Sequence, residues 1–318
     1  MKKALSVAAL ALAMTGSALA ADLPHYKAPP PPPPPPPPMW TGFYVGLNAG
    51  GTWAQSNSVN VISFPMFAQP GFGVAAISPI YASLSALGAS GVVSGGNSSG
   101  FIGGGQIGYN WQFYNSFVAG IEADIQGVAT GGGNNATTSA LIANAGFGLP
   151  AAPSVLMATT LSSTKRLDYI GTVRGRLGWL FTPTLLAYGT GGLAYGGVSV
   201  NTSIAQFNNE AAVFPAGLNA AAAAFGTGAF SDTRVGWTVG GGLEWMFWPN
   251  WSAKVEYLYY DLGNVSYAVS PMATLEVTTP FVYTVVGSQA RTRFNGNIVR
   301  AGVNYHFNWG APPVVAKY

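Results

Sequence analysis

The chain has 318 residues, of which 49% are apolar and only 7% charged, with 43 glycines and no cysteine. A soluble domain usually carries about 25% charged residues. Disulfides and cysteine acylation are excluded, and so is a nucleic-acid partner, which needs clustered Lys and Arg.

The N-terminus reads as an export signal over residues 1–20. Met1-Lys2-Lys3 is a basic start, Leu5 to Met14 an apolar core, and Ala18-Leu19-Ala20 a small-residue cleavage site, so the mature chain starts at Ala21. The apolar run is too short for a membrane-spanning helix, which needs about 20 residues. Losing Lys2 and Lys3 lowers the basic count from 13 to 11 against 10 acidic residues, a net charge of +1. Residues 21–41 form a linker in which Pro29 to Pro38 is an unbroken run of ten prolines. At about 3.1 Å per residue it makes a polyproline II rod of roughly 30 Å. It is a stiff periplasmic spacer or simply a tolerated tether, and it lacks the flanking residues of a specific ligand.

From Thr41 the hydrophobic period becomes two. Eight strands are predicted near 42–53, 101–113, 117–128, 166–180, 185–200, 231–247, 251–262 and 293–307. Three tight connections, 113–117, 180–185 and 247–251, are dense in aromatics, as in Trp245-Met246-Phe247-Trp248-Pro249-Asn250-Trp251. Four long ones, 54–100, 129–165, 201–230 and 263–292, alternate with them. This is the pattern of an all-β, eight-stranded antiparallel transmembrane β-barrel with short periplasmic turns and four long outer loops. The barrel covers 42–307, and 308–318 is a C-terminal tail.

One face of each strand must be apolar, because hydrocarbon offers no hydrogen bonds and the backbone must pair strand to strand. The first strand places Phe43, Val45, Leu47 and Ala49 on one side and Tyr44, Gly46, Asn48 and Gly50 on the other. The sixth sets Val235, Trp237, Val239, Leu243 and Trp245 against Arg234, Gly236, Thr238, Gly240 and Glu244. The strand charges keep to the polar face. Glu122, Asp124, Arg166, Asp168, Arg174, Arg176, Asp232, Arg234, Glu244, Lys254, Glu256 and Arg300 are predicted to point into the lumen, six of each sign. Asp261, Arg293 and Lys165 have the opposite parity but sit at the outer rim. An eight-stranded barrel is only wide enough for its own side chains, so these charges predict a lumen plugged by salt bridges. A selective pore would line its passage with one sign.

Little else carries chemistry. Gly103-Gly104-Gly105-Gln106-Ile107-Gly108 fits a dinucleotide fingerprint, but Tyr109 to Phe113 continue a strand where a helix is required. Glu122 and Asp124 are a carboxylate pair of the kind glycosidases use, yet the inward arginines give them a simpler role. Histidine occurs only at His25 and His306. No catalytic, cofactor or metal site is expected, and the chain is read as non-enzymatic. Residues 54–100 contain no charge but carry Ile62, Phe64, Met66, Phe67, Phe72, Ile77, Ile80 and Tyr81. Such loops either pack over the barrel mouth or extend its strands, or they contact another cell surface, a lipid or a small apolar ligand.

Four segments together resemble the outer-membrane immunogenic protein family of alphaproteobacteria. They are Trp40-Thr41-Gly42-Phe43-Tyr44-Val45-Gly46, the run Arg166 to Gly178, the run Leu186 to Gly196, and the run Asn297 to Phe307. The resemblance covers most of 40–307 outside the long loops. It implies a bacterial outer-membrane protein with a role in envelope structure, in host or cell-surface contact through the loops, or, for some members, in haem binding. The expected partners are outer-membrane lipids, lipopolysaccharide and the barrel-assembly machinery. No cofactor is expected, since haem ligation would have to come from Tyr81, Met66 or Met157. A small-solute porin and a haem or other ligand receptor are the alternative functions. The assembly signal is Phe307, which ends the strand pattern, or Tyr318 at the terminus.

Overall fold

The computed structural model describes residues 40–68, 77–96, 99–114, 116–130, 135–143, 155–208, 223–276 and 282–307. The signal, the cleavage position Ala20–Ala21, the proline tract, the C-terminal tail and Tyr318 lie outside them. Eight strands close a ring: β1 (Gly42–Ala54), β4 (Gly100–Phe113), β5 (Phe117–Thr130), β7 (Val155–Thr182), β8 (Leu185–Asn208), β9 (Ala223–Trp248), β10 (Trp251–Glu276) and β11 (Val282–Phe307). Every neighbouring pair is antiparallel, and β11 returns to β1 with Phe43 opposite Phe307. These are the eight predicted strands.

The difference lies at their outer ends. β7 to β11 run well past the predicted limits, and the first two long loops fold as well. Loop 54–100 contains β2 (Ser58–Ala68), α1 (Ile77–Gly88) and β3 (Gly91–Ser94); β6 (Asn135–Ala143) pairs with β7. β2 joins the outer part of β11, and β3 joins β2. In α1, Tyr81, Ala82, Ser85 and Ala86 are buried while Ser83 and Leu87 are exposed, a period of about four that suits a helix lying on a sheet.

The two halves of the barrel have opposite faces. In the lower half the outside is apolar: Phe43, Leu47, Ile121, Val239, Leu243 and Val255 are all largely exposed. Aromatics edge this band, with Trp179 and Trp245 below and Tyr169 and Trp237 above. Eight to ten residues separate each pair along β9 and β7. At about 3.3 Å per residue and a tilt near 40°, they stand about 20–25 Å apart, close to the apolar height of an outer-membrane barrel. In the upper half the apolar side chains turn inward. On β10, Val265, Tyr267 and Val269 are buried while Ser266, Ala268 and Ser270 are exposed. On β8, Val200 and Ile204 are buried while Asn201 and Ser203 are exposed.

This upper interior is a hydrophobic core. Leu161, Val198, Val265 and Val286 from the walls meet Val59 and Val61 of β2, Val93 of β3 and Ala86 of α1. The loops therefore build a cap, which is one of the two outcomes expected for them. A smaller apolar cluster closes the bottom. There Trp40 is fully buried against Val118, Leu180, Leu186, Tyr188 and Met246, and its indole nitrogen donates to the Pro183 carbonyl at 3.1 Å.

Val173, half-exposed on β7 between Tyr169 and Trp179, lies near the middle of the band. Val173→Lys is expected to cost about 2–4 kcal/mol of stability in vesicles, while Ala268→Lys, on the exposed outside of the cap, is expected to be neutral. Urea unfolding in lipid vesicles measures both.

Candidate functional site

The site is the polar layer between the bottom plug and the upper core. Its residues come from all eight ring strands, because period two sends alternate residues to the lumen. Register then brings opposite charges together. Glu122 on β5 faces Arg174 on β7, Glu256 on β10 faces Arg300 on β11, and Lys254 on β10 faces Glu244 on β9. Two tyrosines enter beside them because the facing positions are glycines. A Cβ on Gly108 would lie 2.4 Å from the Tyr44 ring, and one on Gly242 would lie 2.9 Å from the Tyr188 hydroxyl.

Arg174 is central. It donates to Glu122, to Asp124 at 2.9 Å and to Glu256 at 3.0 Å, and its Nε reaches the Thr172 hydroxyl at 2.8 Å. Arg300 joins Asp124 at 2.8 Å and Glu256 at 2.5 Å. Lys254 donates to both oxygens of Glu122 at 2.9 Å, and the Tyr44 hydroxyl adds a bond to Glu122 at 2.7 Å. Arg176 donates to Glu244 at 2.6 Å, and its guanidinium stacks 4.0 Å from the centre of the Tyr188 ring. Glu244 also accepts from Ser252 at 2.5 Å and Asn304 at 2.7 Å. His306 lies within 2.9 Å of the Ser252 hydroxyl.

Eight of the twelve predicted lumen charges meet here: Glu122, Asp124, Glu244 and Glu256 with Arg174, Arg176, Lys254 and Arg300. Four acids against four bases leave no net charge when all are ionised, and no side chain among these ion pairs is more than 2% exposed. Ion pairs this dry keep their charges only because each group has several partners.

The other four depart from the expectation. Arg166 and Asp168 face outward and are exposed, because a register shift between Leu167 and Tyr169 reverses the faces of β7. Asp232 is exposed and Arg234 half-buried; the β9–β10 ladder ends below them, at Trp237 opposite Asp261, and Arg234 donates to the Asn264 carbonyl at 3.2 Å. A second irregularity, between Asp261 and Asn264, carries Gly263 at φ +82°. The first irregularity brings inward Lys165, expected on the outer face at the rim, at 2% exposure; Asp261, opposite the outward Trp237, keeps the outer parity expected of it but is covered, at 3% exposure. Asp261 is paired with the half-exposed Arg293. Lys165 donates to the carbonyls of Ser56, at 2.6 Å, and Arg293, and its ammonium sits 4.5 Å from the centre of the Phe294 ring. It thereby ties β7 to the start of loop 54–100. Burial alone pushes the Lys165 ammonium down to about 8.

The motifs considered for other chemistry lie elsewhere. Residues 103–108 are inside β4, with strand on both sides. Tyr81 and Met157 pack together in a buried cluster, while Met66 is exposed on β2. Phe307 is the last residue of β11. Trp40 was missed as part of the plug, though a lone tryptophan beside the proline tract was a signal for it.

Comparison with known proteins fits this architecture. The family described as outer membrane protein beta-barrel domain matches residues 6–307. The 31 kDa outer-membrane immunogenic protein of Brucella melitensis is 32% identical over 308 residues, covering 96% of this chain and 100% of that protein. The 22 kDa outer membrane protein of Rhizobium leguminosarum bv. viciae is 29% identical over 170 residues, covering 52% and 54%. Among solved structures, OprG from Pseudomonas aeruginosa aligns over 85% of this chain and 98% of its own, with 8% identity and a TM-score of 0.34.

Glu122→Leu strands Arg174 and Lys254 in a dry interior. It is expected to cost about 3–5 kcal/mol, and Glu122→Leu with Lys254→Met is expected to recover much of that; urea unfolding in vesicles measures both. For Lys165, the folded value near 8 lies below the ordinary 10.5. Between those two pH values the unfolded chain holds more protons, so stability should rise with pH across that window. The gain is at most about 3 kcal/mol, and Lys165→Met should remove it from unfolding curves taken at both ends.

Proposed function

Because the chain belongs to the outer membrane protein beta-barrel domain family, we propose that it is a closed, non-enzymatic barrel whose work is to hold a folded cap at the cell surface. One observation carries the reading. The lumen is stacked with three layers, apolar around Trp40, charged but balanced around Arg174, and apolar again beneath α1. Each layer would resist a hydrated solute for a different physical reason. The ends must exclude water to exist, and the middle has already spent its charges on one another.

Export follows from a signal cleaved between Ala20 and Ala21. Insertion by the assembly machinery uses Phe307 or Tyr318. The cap supplies the contact surface toward a host or a neighbouring cell. The Brucella relative is described as immunogenic, which supports a cap that faces outward.

Single-channel recording in planar bilayers tests the reading. The wild-type protein is expected to stay silent. Arg174→Ala with Glu256→Ala is expected to stay silent too, since the apolar layers above and below remain. Steady, sizeable steps from the wild type would establish a small-solute porin instead.

A further inference from the structure

We infer that the outward wall of β7, β8 and β9 above the upper aromatic belt is a docking site for a phosphorylated, sugar-headed lipid of the outer leaflet. The inference deepens the membrane reading and rests on it. Three chemistries are stacked on this wall in a fixed order. The lowest is the apolar surface of Leu193, Val235 and Trp237, which ends at the belt.

Charge comes next. Among the described side chains of residues 40–273 and 284–307, every charged one that is not buried falls at 166–168, 232–234 or 291–293. Each of these clusters lies roughly fourteen to sixteen residues up its strand from the periplasmic end, which sets them at about one height on strands of similar tilt. On the wall itself the cation is Arg166, whose cross-strand neighbour is Ser199, itself opposite Ser231. An exposed guanidinium just outside a hydrocarbon band is placed to take a phosphate through two parallel hydrogen bonds. Asp168 shares the wall; a carboxylate there meets a lipid phosphate only across a bridging divalent cation.

The third chemistry lies directly above. A groove of about 360 Å³ is lined by Ser162, Thr164, Asn201, Ser203 and Thr227, without a charged group. Ser162 is four residues beyond Arg166 on the same face of β7, about 10 Å farther out at the barrel's tilt. Hydroxyls and one amide around an uncharged hollow suit the hydroxyls of a sugar. Apolar surface, then cation, then hydroxyl groove repeats the order of acyl chain, phosphate and sugar in a glycolipid. A phospholipid would use the arginine and leave the groove empty, and a free saccharide would use only the groove.

The test titrates the full mature protein, folded in detergent, with four probes: lipid A, lipopolysaccharide bearing core sugars, phosphatidylglycerol and inorganic phosphate. Native mass spectrometry counts the retained lipid. Lipid A is expected to outbind phosphatidylglycerol, and Arg166→Gln to weaken it about tenfold. Core-bearing lipopolysaccharide should bind tighter still, by a margin that Ser203→Leu with Thr227→Leu abolishes. Equal retention of phosphatidylglycerol and lipid A, indifference to Arg166→Gln, or full displacement by inorganic phosphate would overturn the inference. All variants are checked for heat-modifiable gel mobility. A wild-type protein without it would defeat the membrane reading, whereas a heat-modifiable barrel that does not discriminate these lipids defeats only the docking site.

Discussion

The barrel is governed by a change of medium along its outer wall. A strand has two faces, and whichever touches hydrocarbon must be apolar. Below the Tyr169–Trp237 belt that is the outer face, so the polar side chains are confined to the lumen and must satisfy one another there. Above the belt the outside is water. The same strands then place Val200, Ile204, Val265 and Val269 inside, and the barrel becomes an ordinary hydrophobic core with a helix across it. One continuous sheet thus uses two folding principles, and its irregularities lie near their junction. The shifts at Leu167–Tyr169 and at Asp261–Asn264 exchange the faces of β7 and β10 close to where the medium changes, which is where a β-bulge re-aims side chains.

The charged layer follows from that confinement. A lumen only as wide as its own side chains cannot keep water around eight charges, so each must find its partners in protein. Arg174 reaches three carboxylates, and Glu122 is bound by two cations and a tyrosine. Such a network contributes specificity of register more than net stability. A one-residue slip of β5 against β7 would part Glu122 from Arg174 and turn Glu122 toward lipid.

The lower half of the molecule was legible in the sequence because lipid enforces parity strictly. A charge such as Glu122 or Lys254 could face only one way, and its neighbours two residues along showed which. The upper half was less legible. In 155–165 the alternation persists, with Met157, Leu161 and Ser163 inward and Ala158, Ser162 and Thr164 between them, but small hydroxylated residues give it low contrast, and it reads as loop. The bulges leave little trace, since Asp168 and Gly263 resemble any polar or small residue of a strand. That is why Arg166 and Asp168 were read inward and Lys165 outward. Trp40 and α1 depend on contacts distant in sequence, with Pro183 and with the outer parts of β2 and β11, and period alone does not reveal these.

The sharing of the charged layer among five strands, with tyrosines added from β1 and β8, also bears on how the molecule is assembled. Glu122 and Arg174 sit on neighbouring strands and can meet early, but Tyr44 on β1 and Arg300 on β11 arrive together only when the seam between the first and last strands zips shut. Until then an open sheet carries a ladder of unpaired amides and several uncompensated charges, none of which hydrocarbon accepts. Closure and entry into the bilayer are therefore coupled into a single late step, and a half-zipped chain is held at the membrane surface until its last strand has found its first.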